Sequence, residues 1–459
     1  MSRSVTSSYL NFSAGAVLSI GAVLAFVSVD QMVPRVAVVC GVAILCFATR
    51  LLPEVLTALL CFLAFLALGA APPEVIFSGF TTGGFWLLFS GLIIGTAITQ
   101  SGLGQQIAQR IFAKTGTSYK RAVALLCVSG LALGLVVPST IPRVIVLMPV
   151  AVSLAATMGF SIGSRGQIGL AIAAATSTLL PTYAILTANL PTIVQYGALE
   201  TLYGIEPSYG RYFVAQLPVN LVRFALLLLL LLPFARSDLR EPQSALPELC
   251  KPMTRQQKRL LMLLGIAILF WATDSMHGIS PAWVALSVAS FVLWPGSGLL
   301  AKDSMKTAVD LSPAIFLVGI FAVSAVAQHV GLDALVAEYM IPRLALAEGS
   351  GLHNLYAITG FSVVISHLTT APAAPIVLAP LAGAIAEAAH WQVHTVAMAQ
   401  IIGISTPLLP YQAPPLIVAM ALAHISVPAL IRICLGLALG VLVIGLPHTY
   451  VWWQVIGLY

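Results

Sequence analysis

Seven residues, Val137-Pro138-Ser139-Thr140-Ile141-Pro142-Arg143, place two prolines, two hydroxyls and one arginine inside an otherwise apolar run. Proline lacks an amide hydrogen and clashes with the preceding turn, so two prolines four residues apart should unwind a helix there. The freed carbonyls and the hydroxyls of Ser139 and Thr140 could hold a cation. The helix that restarts after them offers amides and positive dipole to an anion. Arg143 is followed by VIVLMPVAV, and a charge at membrane depth costs on the order of several kcal/mol unless it is paired or hydrated. Its planar fork suits carboxylate or sulfate, so the expectation is that Arg143 meets the negative charge of a ligand. The competing expectations are a structural pairing with backbone carbonyls, or snorkelling from a shallower register.

A second interruption, Ser366-His367-Leu368-Thr369-Thr370-Ala371-Pro372, lies in the other half of the chain. One such break is most often a kink whose Ser and Thr hydroxyls bond their own backbone; two at matching places argue for a site. A further pair of breaks runs from Leu180 through Thr187 and Asn189 to Pro191, and from Ser405 through Thr406 and Gln412 to Pro415. These are expected to line the same central cavity. The expected ligand-binding set is therefore Ser139, Thr140, Arg143, Asn189, Thr369, Thr370 and Gln412. The expected cation-binding set is Ser139, Thr140, Thr187, Thr369, Thr370 and Thr406. His329 and His367 could carry protons, although a lone buried histidine is more often a satisfied structural group. Asp310, Asp274, Glu54 and His367 are the groups an embedded enzyme would use, but no HExxH, GxSxG or paired-carboxylate motif joins them. No Walker-type phosphate loop is present either.

The elements that hold these residues must live in lipid. The chain has 459 residues, of which 59% are hydrophobic and 8% charged, and its mean hydropathy is +1.00; the bilayer is its solvent. Leu10 to Val27, Val55 to Ala71, Phe213 to Pro233 and Leu260 to Trp271 are apolar on nearly every face, where a soluble helix would keep a polar stripe. The first run has no basic flank beyond Arg3 and no convincing cleavage site after it, so it is expected to remain as a helix. The six cysteines are scattered, five of them within apolar runs, with no metal-ligand or disulfide spacing. The net charge of +6 arises mainly in loops: Arg110, Lys114, Lys120 and Arg121 cluster, and residues 236–259 carry six bases against three acids. By the positive-inside rule both loops face the cytoplasm, which explains the basic balance better than nucleic acid does.

The two halves repeat. FWLLFSGLIIGTAITQSGLGQQIAQRI at 85–111 matches AIFLVGIFAVSAVAQHVGLDALVAEYM at 314–340, with Gly102-Leu103 on Gly331-Leu332. LMPVAVSLA at 147–155 then matches LAPLAGAIA at 378–386. The pattern predicts an all-α polytopic membrane protein made of an inverted repeat, with about 11 transmembrane helices and two re-entrant hairpins. Residues 1–35 form an extra helix and 36–236 the first repeat, with a hairpin at about 83–113. Residues 237–258 form a cytoplasmic linker, and 259–459 the second repeat, with a hairpin at about 312–342. Duplicated broken helices around one site favour a carrier over a channel.

From about Phe77 onward the chain resembles the divalent anion:sodium symporter family: GFTTGGFWLL opens a hairpin, a break precedes LMP, and LLPYQAPPLIV and VWWQVIGL follow. The resemblance implies sodium-coupled transport of dicarboxylate, citrate or sulfate by an elevator-like displacement, in a homodimer of the bacterial inner membrane. It also implies a Ser-Asn-Thr motif after each hairpin that binds substrate and helps form two sodium sites. Those motifs fall on Ser139-Thr140-Ile141 and Thr370-Ala371-Pro372, and both asparagines are replaced. Arg143, just beyond the first motif, supplies fixed positive charge that sodium would otherwise contribute, a pattern that also suits an exchanger or a proton-coupled carrier.

Overall fold

A computed structural model describes residues 31–49, 51–112, 118–137, 140–235, 252–301 and 303–459. Ser139, Pro138, most of the expected N-terminal helix, Cys250 and most of the linker lie outside the described residues. The described residues are helical and contain no β-strand. The longer helices of the first half are α1 (Met32–Thr49), α2 (Glu54–Leu68), α3 (Gly83–Ser101), α4 (Leu103–Phe112), α5 (Tyr119–Val136), α6 (Thr140–Thr157), α7 (Arg165–Ser177), α8 (Leu190–Tyr203) and α9 (Tyr209–Leu231). Those of the second half are α10 (Arg255–Ala272), α11 (Pro281–Leu293), α12 (Ser312–His329), α13 (Leu332–Leu344), α14 (Gly351–Leu368), α15 (Ala382–Ala389), α16 (Val393–Ile404), α17 (Pro414–Ala423), α18 (Val427–Gly440) and α19 (Leu446–Val455). Six described helical stretches are long and apolar enough to cross a membrane by length and composition.

The two halves follow one plan. Each begins with two apolar helices and continues with a hairpin, α3–α4 or α12–α13; a long helix then ends in a break. Both hairpins turn on a glycine with positive φ, Gly102 at 67° and Gly331 at 77°, a conformation that costs other L-residues because Cβ approaches the following carbonyl. The matched glycines of the sequence repeat are thus the two hairpin corners. A carboxylate anchors the start of each hairpin: Glu200 accepts from the amides of Gly83 (2.7 Å) and Gly84 (3.3 Å) at the start of α3, and Asp310 accepts from the Ser312 amide (2.9 Å) at the start of α12. A negative charge at a helix N-terminus satisfies orphan amides and complements the dipole.

Two compact units form. One contains residues up to Phe85, Val194–Glu206 and Asp310–Ile404; the other contains Trp86–Ile193, Pro207–Val309 and Ser405–Tyr459. Each unit therefore draws on both halves. In the first, α2 packs along α12, and α14 along α16. A Cβ on Gly319 would lie 2.5 Å from the Ala58 Cβ, so the first contact depends on small residues allowing close backbone approach. In the second, α7 is enclosed by α5, α6 and α17. The two most enclosed helices are α7, buried from Gly169 to Ser177, and its repeat counterpart α16, buried from Thr395 to Ile404. Apolar residues around the whole circumference are what such a central position requires. The five described cysteines are free and buried.

Candidate functional site

Helix α5 ends at Val136, Val137 is extended (φ −108°, ψ 108°), and α6 begins at Thr140. The predicted break after the first hairpin is therefore present, and Pro142 falls in the first turn of α6, where its missing amide costs little. One turn of helix brings Arg143 back toward the break. Arg143 is fully buried. Its Nη2 donates to the Thr140 hydroxyl (2.7 Å), the Ala188 carbonyl (2.6 Å) and Asn189 Oδ1 (3.1 Å). Thr140 also donates to Asn189 Oδ1 (3.0 Å), and Asn189 Nδ2 donates to Thr182 Oγ1 (3.1 Å). A backbone carbonyl does take part, as one competing expectation had it, but all the bonding falls on one nitrogen. Nε and Nη1 are buried without a hydrogen-bond partner among the described residues. No acid pairs with this guanidinium among them.

A buried guanidinium with two donors unpaired among the described residues has the chemistry to receive an anion. Gly134 makes room for it: a Cβ there would sit 2.8 Å from Arg143 Nη1 and 2.6 Å from Thr182 Cγ2. Gly134 also lines a cavity with Thr187, Leu87, Ile94, Leu264 and Trp271. Thr187 is the one hydroxyl-bearing residue among these six.

Of the expected residues, Thr140, Arg143 and Asn189 are joined directly, and Thr187, Thr406 and Gln412 belong to the same compact unit. Gln412 is buried and its Oε1 accepts from the amides of Leu408 (2.8 Å) and Leu409 (3.0 Å), so this atom shapes the second-half loop. Thr369 and Thr370 belong to the other unit. There the Thr369 hydroxyl donates to the Ile365 carbonyl (2.8 Å), and the Thr370 carbonyl accepts from Ala373 and Ala374 (both 2.9 Å). These are the local bonds of a kink. His367 is half-buried with Nδ1 2.6 Å from the Val363 carbonyl, and His329 is exposed at the end of α12. Asp274 accepts from the amides of Tyr209 and Gly210, a structural cap on α9.

Sequence reasoning missed Arg223. It lies in VNLVRFALLLL on α9, is 2% exposed, and donates from Nη1 to Asn220 Oδ1 (3.0 Å) and from Nη2 to Thr406 Oγ1 (2.8 Å). An arginine inside an apolar run was the available signal.

The family description "Sodium:sulfate symporter transmembrane region" matches residues 11–459. A Cupriavidus necator membrane protein is 25% identical over 354 residues, covering 73% of this chain and 68% of its own. Escherichia coli inner membrane protein YbhI is 24% identical over 325 residues, covering 67% and 66%. The L-tartrate/succinate antiporter of the same organism is 27% identical over 232 residues, covering 47% and 46%, so the matched region spans less than half of that relative. Among solved structures, the Alcanivorax borkumensis YdaH transporter aligns with a TM-score of 0.56 at 16% identity, over 84% of this chain and 88% of that one, a likeness of fold.

Proposed function

Because the chain belongs to the sodium:sulfate symporter family, and is thus an integral membrane secondary transporter of anions, we propose that it carries a small dicarboxylate, tricarboxylate or sulfate bound against Arg143. The observation that carries this reading is the buried guanidinium with Nε and Nη1 open and no acid paired to it among the described residues. Substrate would supply the missing charge and accept the two donors, with Thr140 and Asn189 holding the fork in place. Thr187 offers a neutral hydroxyl to the cavity that Gly134 also lines.

Two couplings follow from different observations. The family name supports sodium symport, in which hydroxyls near the breaks would take part in holding Na+. Arg143 supports exchange of one anion for another, because Thr140 Oγ1 is 2.7 Å from a guanidinium nitrogen and a second cation there meets like-charge repulsion. A relative named as a tartrate/succinate antiporter agrees with the second reading, and exchange is the coupling proposed. Alternating access is expected to be elevator-like, in a homodimer of the bacterial inner membrane with the 237–258 loop in the cytoplasm.

The test is uptake of labelled succinate, tartrate and sulfate into proteoliposomes, with and without a sodium gradient, a proton gradient and internal anion. Uptake that requires only internal anion supports exchange; accumulation driven by sodium alone overturns it in favour of symport. Arg143→Ala should abolish uptake while the protein still inserts. Unchanged affinity and anion selectivity would make Arg143 structural and remove the proposed site.

A further inference from the structure

The bonds around Asn189 form a chain that runs in one direction only. A hydroxyl carries a single hydrogen, and a carboxamide has a donor end and an acceptor end, so each group in such a chain constrains the next. The hydrogen of Thr182 is taken where α7 ends and carbonyls lose their helical partners. There Thr182 Oγ1 donates to the Leu179 carbonyl at 2.7 Å, with the Thr178 carbonyl at 3.2 Å. Its lone pairs face Asn189, whose Nδ2 donates at 3.1 Å and is the nearer amide atom, Oδ1 lying at 3.3 Å. Oδ1 is thereby turned to the break, where it accepts from Thr140 Oγ1 (3.0 Å) and Arg143 Nη2 (3.1 Å). Thr140, its own hydrogen spent, accepts from the same Nη2 (2.7 Å). Turned over, the amide would set Nδ2 against a guanidinium nitrogen, donor against donor, and leave the Thr140 hydrogen without that acceptor.

Thr182 is fully buried on the 3₁₀ turn Pro181–Ala184. That turn is fastened from α9, where the Tyr212 hydroxyl donates to the Tyr183 carbonyl (2.6 Å). The Thr182 methyl closes the space beside the guanidinium: Cγ2 is the atom nearest a Cβ added at Gly134, at 2.6 Å, with Arg143 Nη1 next at 2.8 Å. Thr182, Asn189, Thr140, Arg143 and Gly134 all lie within one compact unit.

We propose that Thr182 is a positioning residue for anion transport: its hydroxyl fixes Asn189 in the one orientation that engages Arg143 Nη2, which leaves Nε and Nη1 as the donors presented to the ligand. It acts through Asn189 rather than by touching the ligand. The inference rests on the proposed anion site at Arg143 and adds what determines its geometry.

The test is the concentration dependence of uptake, in proteoliposomes, of whichever of succinate, tartrate and sulfate the wild type carries. Thr182→Val keeps the shape and removes the hydroxyl, so KM should rise by about tenfold, the cost of losing one buried hydrogen-bond partner, while the maximal rate changes little. Thr182→Ser keeps the hydroxyl and loses the methyl, and its KM should stay close to that of the wild type. If Thr182 serves only to fill the wall beside Gly134, valine is tolerated and serine is not; that pattern would overturn the proposal. Coupling supplies a second readout. In an Asn189→Ala background Thr182→Val should change KM by less than about twofold, because the amide it orients is gone; an undiminished cost there would also overturn it. Where Asn189→Ala leaves too little uptake to fit, the comparison of valine with serine decides. If Thr182→Val does not assemble, Thr182→Ala takes its place in both comparisons. Should Arg143→Ala and Asn189→Ala leave uptake unchanged, the anion site itself falls; if they weaken uptake and Thr182 shows no coupling to Asn189, only this inference falls.

Discussion

At the scale of single residues, the proposed site turns on how a charge is accommodated where water is scarce. Arg143 was conspicuous in the sequence because an arginine next to VIVLMPVAV is costly unless something meets it. Its partner Asn189 could not be tied to it, since 46 residues separate them and the fold alone brings Oδ1 within 3.1 Å. Arg223 was as visible by the same criterion, but no proline-hydroxyl break surrounds it. The hydroxyl that holds it, Thr406, is 183 residues away. Thr369 shows the opposite case: its residue type fitted a site, and its hydroxyl is bonded to its own helix. Gly134→Ala tests the space around the guanidinium. The added Cβ would meet Thr182 at 2.6 Å and Arg143 at 2.8 Å, an overpacking that costs on the order of 1–3 kcal/mol. The KM for anion uptake should rise by about tenfold or more. Gly95→Ala is the control, because no atom outside its own helix lies within 4 Å of the added Cβ; thermal stability should hold or rise slightly with helix propensity. Similar effects of the two substitutions would show that Gly134 has no special relation to Arg143.

At the scale of elements, the sequence repeat carried most of the architecture. Gly102-Leu103 and Gly331-Leu332 are matched in sequence and are the two hairpin corners in space, and the breaks fall where proline and hydroxyl residues interrupt apolar runs. The carboxylate caps were not legible, because Glu200 reaches Gly83 across 117 positions. The hairpin glycines make a direct prediction. Gly102→Ala and Gly331→Ala each force a side chain into the left-handed region, at a cost of about 1–2 kcal/mol. Each should lower the midpoint of thermal unfolding of the purified protein, and Gly331→Asn should lower it less than Gly331→Ala, since Asn tolerates that region better. Equal midpoints for wild type and both alanine variants would mean that the corners adjust without strain.

At the scale of the molecule, neither half of the chain holds a complete compact unit. Which segments combine was not readable from a repeat laid out in order, because the pairing of α2 with α12 or of α9 with the second-half loop is a long-range property. A chain cut between residues 236 and 252 should therefore yield two fragments that are inactive and protease-sensitive apart. Co-expressed, they should copurify and restore anion uptake. Uptake by either fragment alone would refute the dependence. The pairing of α2 with α12 also sets a schedule for biosynthesis. The partner of α2 is encoded roughly 250 residues downstream, so at ribosomal rates of roughly 5–20 residues per second α2 waits roughly 12–50 s before α12 has been made. During that interval the face around Ala58, destined to lie against Gly319, must be held by lipid or by an insertion chaperone.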